Sequence, residues 1–407
     1  MFFVNIIFKK ENLLNFEKNN FNKIMLIFLF FFIFQFLSLI FTENNNLNSY
    51  YFFIPIITIL IITKSFKQNF TLINYQISLF VLSLLLLIYG ITTYKWFFFD
   101  TINLNFYGTY PSAYIYMYEF SSNVIRSSGL ARSSMILIIP LILIILIKKL
   151  NFLYLIPFIF LSSIIYLTQS RIVILFYIIF VLFLIIFYLN NKKIKYKLSK
   201  LFILLFIPII FSNSLIFSKE IIRTADFEKI YKSFKDKIEI KNKYNYFKYT
   251  KNLHDYKNIE HEFYVEHLVR PFEPKSFSSN RVSYWKNIIS ESKRPLLGYG
   301  ILGDKFLINK NSSNAFIYSY ASGGIISVLL LLFIFLRYAF LSIKLIFINK
   351  IILSDKNLIF LSAIFTICFL MYRSLVEVGV AVFSIDFIVF LSCVAVCEKL
   401  ISKKNSY

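Results

Sequence analysis

Acidic side chains are scarce in this chain: 21 Asp and Glu stand against 44 Lys and Arg, a net charge of +23. An excess of that size would suit a nucleic-acid partner. The lysines, however, are interleaved with long apolar runs and form no single basic face, which argues against one. Cysteine is scarcer still. Cys368, Cys393 and Cys397 all fall inside apolar runs, where they serve as small apolar fillers and imply no disulfide framework. The three histidines, His254, His261 and His267, are irregularly spaced among glutamates in "HDYKNIEHEFYVEH". A metal site needs tighter pairing on one face, so no metal is expected. They read as solvated, with His261 and His267 as minor acid or base candidates. A nucleotide-type glycine loop, a zinc-protease signature and a serine-hydrolase elbow are all missing, which disfavours ATP-driven and proteolytic chemistry. The first apolar run begins late and has no small-residue cleavage site, so no cleavable signal peptide is expected.

What the chain has is hydrocarbon. It is 58% hydrophobic with 51 Phe, and its mean hydropathy is +0.68. Candidate spans lie near 24–42, 50–63, 74–94, 130–147, 152–168, 172–190, 200–218, 316–341, 357–372 and 378–397. This predicts an all-α, polytopic membrane helix bundle of about 10–12 spans. Three regions follow: an N-terminal transmembrane bundle over 1–218, a large loop over 219–312, and C-terminal transmembrane helices over 313–407.

Charge predicts the orientation. Lysines recur in alternate short loops: Lys9, Lys10, Lys18 and Lys23, then Lys64 and Lys67, Lys148 and Lys149, "NNKKIKYKLSK", Lys344 to Lys356, and finally Lys399 to Lys404. The intervening loops "TENNNLNS", "TQSR" and "YRSLVE" contain none. By the positive-inside rule the N-terminus is cytoplasmic and the large loop is on the outer side. Arginine breaks the pattern. Arg126, Arg132, Arg171, Arg223, Arg270, Arg281, Arg294 and Arg373 all fall on the outer side, and only Arg337 does not. A planar guanidinium binds phosphate or carboxylate oxygens in bidentate fashion and stays charged, so the set suggests an anion site.

Within the loop, Phe227, Ile230, Tyr231, Phe234 and Ile238 recur at helical spacing and suggest an amphipathic surface helix. "SSNRVSYWKNIISESKRPLLGYG" reads as a second helix. Ser279 or Asn280 is the candidate cap, Val282, Trp285, Ile288 and Ile289 form an apolar stripe, and Pro295, Gly298 and Gly300 end it. Arg281 falls in the first turn, an unfavourable place for a cation unless it meets an anion there. Further on, Ser312, Ser313 and Asn314 stand at the mouth of a span, with Gly323 and Gly324 placed for close helix approach just below. Glu377, four residues after Arg373, is the first candidate for a general base. The plainer alternative is an Arg–Glu pair that fixes a turn.

Several of these stretches resemble motifs of the bacterial O-antigen ligase and O-antigen polymerase family. "LTQSRIVIL" (167–175) resembles its Ser-Arg element, and "VIRSSGLARSSMILIIP" (124–140) its Arg-x-x-Gly stretch. "NRVSYWKNIISESKRPLLGYG" (280–300) is similar to its Arg…Trp…Pro-Leu-x-Gly-x-Gly signature, and "YRSLVEVGVAVFSIDFIVFL" (372–391) to its late Arg…Glu element. The motifs run in the family's order from about residue 70 to the end.

The resemblance implies a glycosyltransferase of the bacterial inner membrane with its large loop periplasmic. It would need neither metal, nucleotide nor other cofactor, and its leaving group would be a lipid diphosphate. The donor would be an undecaprenyl-diphosphate-linked glycan. Membrane lipids and other polysaccharide assembly proteins, such as a flippase or a chain-length regulator, would be partners; nucleic acid would not. Glu377, Arg281 and Arg171 become the catalytic candidates, with Arg126, Arg132, Arg373, Ser313, Asn314 and Trp285 as substrate-binding candidates. Where ligases of the family carry the His of a His-Asn pair, this chain has Ser313 before Asn314, and serine is a poor general base at neutral pH. That departure puts a polymerase first and a ligase, transferring the glycan to lipid A core, second. A flippase ranks lower, because there is no internal repeat and the spans hold few charges, Arg337 and Asp386 being the main exceptions.

Overall fold

A computed structural model of the 407-residue chain describes residues 19–40, 50–65, 127–147, 152–168, 170–189, 199–200, 202–215, 217–218, 281–344, 346, 354 and 357–404. The expected span at 74–94 and Arg126 lie outside the described residues. So does 219–280, with Arg223, Arg270, the three histidines, the stripe from Phe227 to Ile238 and the candidate caps Ser279 and Asn280.

Every regular element among the described residues is a helix. In chain order these are α1 (Asn19–Ile40), α2 (Tyr50–Ser65), α3 (Ser127–Ile147), α4 (Phe152–Leu167) and α5 (Arg171–Leu189). They continue with α6 (Phe202–Leu215), then α7 (Arg281–Glu291), α8 (Gly303–Ile308), α9 (Ala315–Ile343), α10 (Leu358–Ser374) and α11 (Ile385–Lys404). Lys23–Ile40, Gly129–Ile147 and Ala315–Ile343 are long and apolar enough to cross a membrane, and four shorter helices are also apolar. The chain is a helical membrane protein, as its composition predicts.

Hydrocarbon offers no water to an unpaired backbone group, so apolar runs of this kind close their hydrogen bonds internally as helices. The hydroxyls inside them do the same. Ser162 donates to the carbonyl of Phe158, Ser319 to that of Ala315 and Ser374 to that of Leu370, each four residues back.

The described helices fall into two compact units. In the unit formed by Met1–Ser78 and Ser278–Tyr407, α1 packs along α9, α10 pairs with both α9 and α11, and α2 touches α1 and α11. Its core is aromatic. Phe28 meets Phe387 and Phe390 edge-on, and Phe390 also lies against Phe335 and Tyr338. One ion pair is buried among these rings: Arg337 Nη2 lies 2.8 Å from Glu398 Oε1, which also accepts from the Tyr338 hydroxyl at 3.0 Å. A charge pair with an added hydrogen bond is the form in which hydrocarbon tolerates such groups. It fixes the register of α9 against α11.

Helix α9 is interrupted at Gly323 (φ −133°, ψ 18°) and Gly324 (φ 63°, ψ −162°). The latter conformation is open essentially to glycine alone. The interruption frees backbone groups, and the segment 295–300 takes them up. Tyr299 N donates to the Ala321 carbonyl at 2.8 Å and Gly300 N to the Ser322 carbonyl at 2.7 Å, while Ile325 N donates to the Pro295 carbonyl at 2.8 Å. Helix α1 joins in through Ser38, whose hydroxyl donates to the Leu297 carbonyl. The sequence reading assigned the glycine pair to helix–helix approach. Gly323 does lie close to Gln35 of α1, and the structure also uses the pair to admit a loop into the helix, because "PLLGYG" supplies the missing donors and acceptors on its own backbone.

The end of α10 also differs from expectation. The span expected at 378–397 starts at Ile385, and residues 375–384 form a connection. Asp386, expected mid-span, therefore stands in the first turn of α11.

In the second unit, Leu79–Phe277, α3 packs against α4 and α5. Lys200 Nζ donates to the Leu146 carbonyl at 2.9 Å, placing a cation at the end of α3 where the helix dipole favours one. The Tyr177 hydroxyl donates to the Leu204 carbonyl and ties α5 to α6.

Candidate functional site

The first unit gathers most of the sequence's candidates around one turn. Helix α10 ends at Ser374, and the carbonyls of Leu375 and Val376 point away from it without helical partners. Two side chains from elsewhere take them. Arg281 Nη1 donates to the Val376 carbonyl at 3.2 Å, and Asn314 Nδ2 donates to the Leu375 carbonyl at 2.8 Å. Glu377 is the next residue. The structure thus brings Arg281, Asn314, Arg373 and Glu377 together.

Arg281 is the first residue of α7, as the sequence predicts. A cation there is poorly placed for its own helix, but it serves the C-terminal end of α10 well. Only one of its five N–H donors is accounted for by Val376. Trp285, one turn later, donates from Nε1 to the Ser312 carbonyl at 2.6 Å. Ile288 is fully buried behind it, whereas Val282 and Ile289 are exposed, so the expected apolar stripe faces two environments.

The segment leading into α9 is held from below by Asp304, which the sequence reading passed over. This carboxylate is buried and accepts from Ser312 N at 2.7 Å and Lys305 N at 2.9 Å. Its neighbour Gly303 lies so close to the Ala321 carbonyl that a Cβ would collide with it. A lone Asp inside an apolar stretch was the only sign of this bracket in the sequence. Ser313 follows in a left-handed conformation (φ 50°) and is half-buried. Asn314 then caps α9, its Oδ1 accepting from Phe316 N at 2.8 Å and Ile317 N at 3.1 Å.

Arg373 is buried, and its main partner is Asp386, to which Nη1 donates. The expected partner, Glu377, lies at 3.9 Å from Nη2, the outer limit of an ion pair. The difference follows from α10 ending at Ser374: residue 377 is not on a continuing helical face. The side chain of Asp386 is 2% exposed and that of Glu377 is 36% exposed, so the first is the structural counter-charge and the second stands open. Gly379 packs directly on the Asp386 carboxylate, where a Cβ would overlap it. The resulting surface offers a half-exposed carboxylate and a half-buried guanidinium with donors to spare. Together these can accept a proton and hold an oxyanion.

Two further candidates, Arg132 and Arg171, lie in the second unit. Arg171 opens α5 and is exposed, and Arg132 is half-buried in the second turn of α3. Since α3 begins, α4 ends and α5 begins at the same end of their bundle, both arginines share that end. Thr168 is buried beside the α4–α5 turn, its hydroxyl donating to the Ile165 carbonyl at 2.9 Å. Among the described residues, no three His, Cys, Asp or Glu side chains come together.

Among known families, residues 156–321 match the family described as O-antigen ligase. The matched stretch contains the Ser-Arg element at Ser170 and Arg171, the Arg281 to Gly300 signature and the Asn314 cap. The resemblance drawn from those motifs is therefore borne out. No curated protein and no solved structure matches the chain.

Proposed function

We propose, from the premise that residues 156–321 match the O-antigen ligase family, that this protein is a surface-polysaccharide polymerase. In this reading it joins undecaprenyl-diphosphate-linked glycan units at the outer face of the bacterial inner membrane. The observation that carries the proposal is the convergence of Arg281, Asn314 and the open carboxylate of Glu377 on the turn after α10.

The acceptor sugar hydroxyl attacks the anomeric carbon of the donor. The bond between that carbon and the diphosphate oxygen breaks, and the lipid diphosphate leaves with the electron pair. The acceptor proton passes to Glu377. Arg281 supplies positive charge for the departing diphosphate. Arg373 has a different part, since Asp386 already neutralises it: it fixes the start of the 375–384 connection and so the place of Glu377. Trp285 and Ser313 shape the entry to α9 on which an acceptor sugar would rest.

The test is Glu377→Gln in a strain lacking the chromosomal gene, with protein levels matched by immunoblot. Conversion of lipid-linked single units to polymer is expected to fall by about 10²–10⁴-fold, the usual worth of a positioned general base. Full conversion by this variant would remove Glu377 from the chemistry. The same gels separate the second reading, favoured by the domain match, from the first. Loss of a polymerase leaves single units, whereas loss of a ligase leaves full-length polymer on the lipid carrier.

A further inference from the structure

We propose that Asn314 is a positioning residue for Glu377, acting through the Leu375 carbonyl as well as capping α9. The inference rests on the reading of Glu377 as the base. Asn, Asp, Ser and Thr all cap helices well, but among them only Asn carries an acceptor and a donor on two different atoms. The structure uses both. Oδ1 takes Phe316 N and Ile317 N on one side, and Nδ2 reaches the Leu375 carbonyl at 2.8 Å on the other. The partners themselves fix the amide's orientation, since two N–H groups face Oδ1 and a carbonyl faces Nδ2.

Glu377 needs such a hold. Its carboxylate is 36% exposed and its ion pair with Arg373 is stretched to 3.9 Å, so its own side-chain contacts fix it weakly. Its backbone is fixed instead by the two carbonyls before it, one held by Asn314 and one by Arg281. Asn314 is in turn anchored by the segment entering α9. Ser313 takes the left-handed turn, and the backbone of Ser312 is pinned between Trp285 Nε1 and the Asp304 carboxylate. The chain from Asp304 to Leu375 therefore transmits the position of the α9 mouth to the base. Moving Glu377 by about 1 Å would cost on the order of 10²-fold in rate.

Two substitutions separate the cap from the hold. Asn314→Asp keeps the Oδ acceptors for Phe316 and Ile317 but sets a carboxylate oxygen against the Leu375 carbonyl. Asn314→Ser keeps a capping hydroxyl and cannot reach Leu375. Both are expected to melt within a few degrees of the unaltered protein in detergent, with kcat for polymerisation in membrane vesicles reduced at least tenfold and KM for the lipid-linked donor unchanged. Combining Asn314→Asp with Glu377→Gln is expected to lower kcat no further than Glu377→Gln alone. If Asn314→Asp keeps full kcat, or loses activity only in step with its melting temperature, Asn314 is a cap and nothing more. If the double variant loses a further tenfold, Asn314 acts on something other than Glu377. Should Glu377→Gln itself be fully active, the reading of the base falls, and the melting data still report the cap.

Discussion

Gly324→Ala is expected to yield almost no folded protein. The residue sits at φ 63° and ψ −162°, a region that costs any residue with a side chain about 1–3 kcal/mol in backbone strain alone. The larger effect is steric. A Cβ at this position would overlap the Leu296 carbonyl and come within 2.6 Å of Leu297 N. The segment 295–300 would have to leave the break, and three backbone hydrogen bonds would leave with it. Each group then stranded away from water costs about 1–3 kcal/mol. The expected destabilisation exceeds ~4 kcal/mol, which for a membrane protein means degradation before purification. Gly298→Ala should do the same, because its Cβ would meet Gly324 N at 2.6 Å and Ala321 O at 2.8 Å from the opposite side of the joint. Gly323→Ala is expected to be the milder case. Its φ of −133° is open to alanine, so no backbone strain is added, but its Cβ would meet the Ser327 hydroxyl and, at 2.7 Å, the Ser327 Cβ, which is fixed to the α9 backbone and must shift with it. Fluorescence-detected size exclusion of tagged variants reads all three. Normal yield and melting temperature for Gly324→Ala would mean that the loop does not enter the helix.

Asp386→Asn is expected to destabilise the protein, whereas Glu377→Gln disables it without unfolding it. The Arg373–Asp386 pair is buried at both ends. Removing one partner of such a pair strands the other charge and costs about 3–5 kcal/mol. The contact between Arg373 and Glu377 is long and open to solvent at its Glu377 end, and a pair so loosely held is worth about 0–1 kcal/mol. Thermal melting in detergent should therefore drop sharply for Asp386→Asn and hardly at all for Glu377→Gln, with transfer activity per folded molecule showing the reverse order. Replacing Arg373 and Asp386 together by leucine should recover much of the lost stability, since an apolar pair of similar bulk needs no counter-charge. An Asp386→Asn protein that melted like the unaltered one would make Glu377 the true partner of Arg373.

The helices of this chain are legible because hydrocarbon leaves the backbone few alternatives. Long apolar runs at 24–42, 130–147 and 316–341 became helices within a few residues of where they were expected. Two features escaped for the same reason: hydropathy registers what is apolar and is blind to what turns. "VGVAVFS" is as apolar as the helices on either side, so Asp386 looked like a mid-span charge when it belongs to a helix start. Gly323 and Gly324 were conspicuous, but the loop that fills their break lies more than twenty residues upstream, and no local pattern names it. Arg281 and Trp285 could be singled out because both stand out chemically within one short helix. Asp304 was missed because its two backbone partners carry no sequence signature. For Glu377 the neighbour was misjudged: spacing along a helix predicts a pair only while the helix lasts.

The buried meeting of Arg337 and Glu398 sets a condition on how the protein is made. Arg337 is synthesised about sixty residues before the carboxylate that neutralises it. An arginine at the bilayer centre without its counter-ion is unfavourable by about 2.5–3.5 kcal/mol, and Arg337, near the end of α9, bears a fraction of that cost, so α9 emerges from the ribosome as a segment that the lipid does not fully accept. It becomes a settled part of the membrane only when α11 arrives alongside with Glu398. The pairing of α9 with α11 thus acts as a checkpoint on the insertion of α9. A chain that stops short of residue 398 presents an orphan charge in place of a finished bundle, and the membrane proteases that survey such charges have a way to tell the two apart.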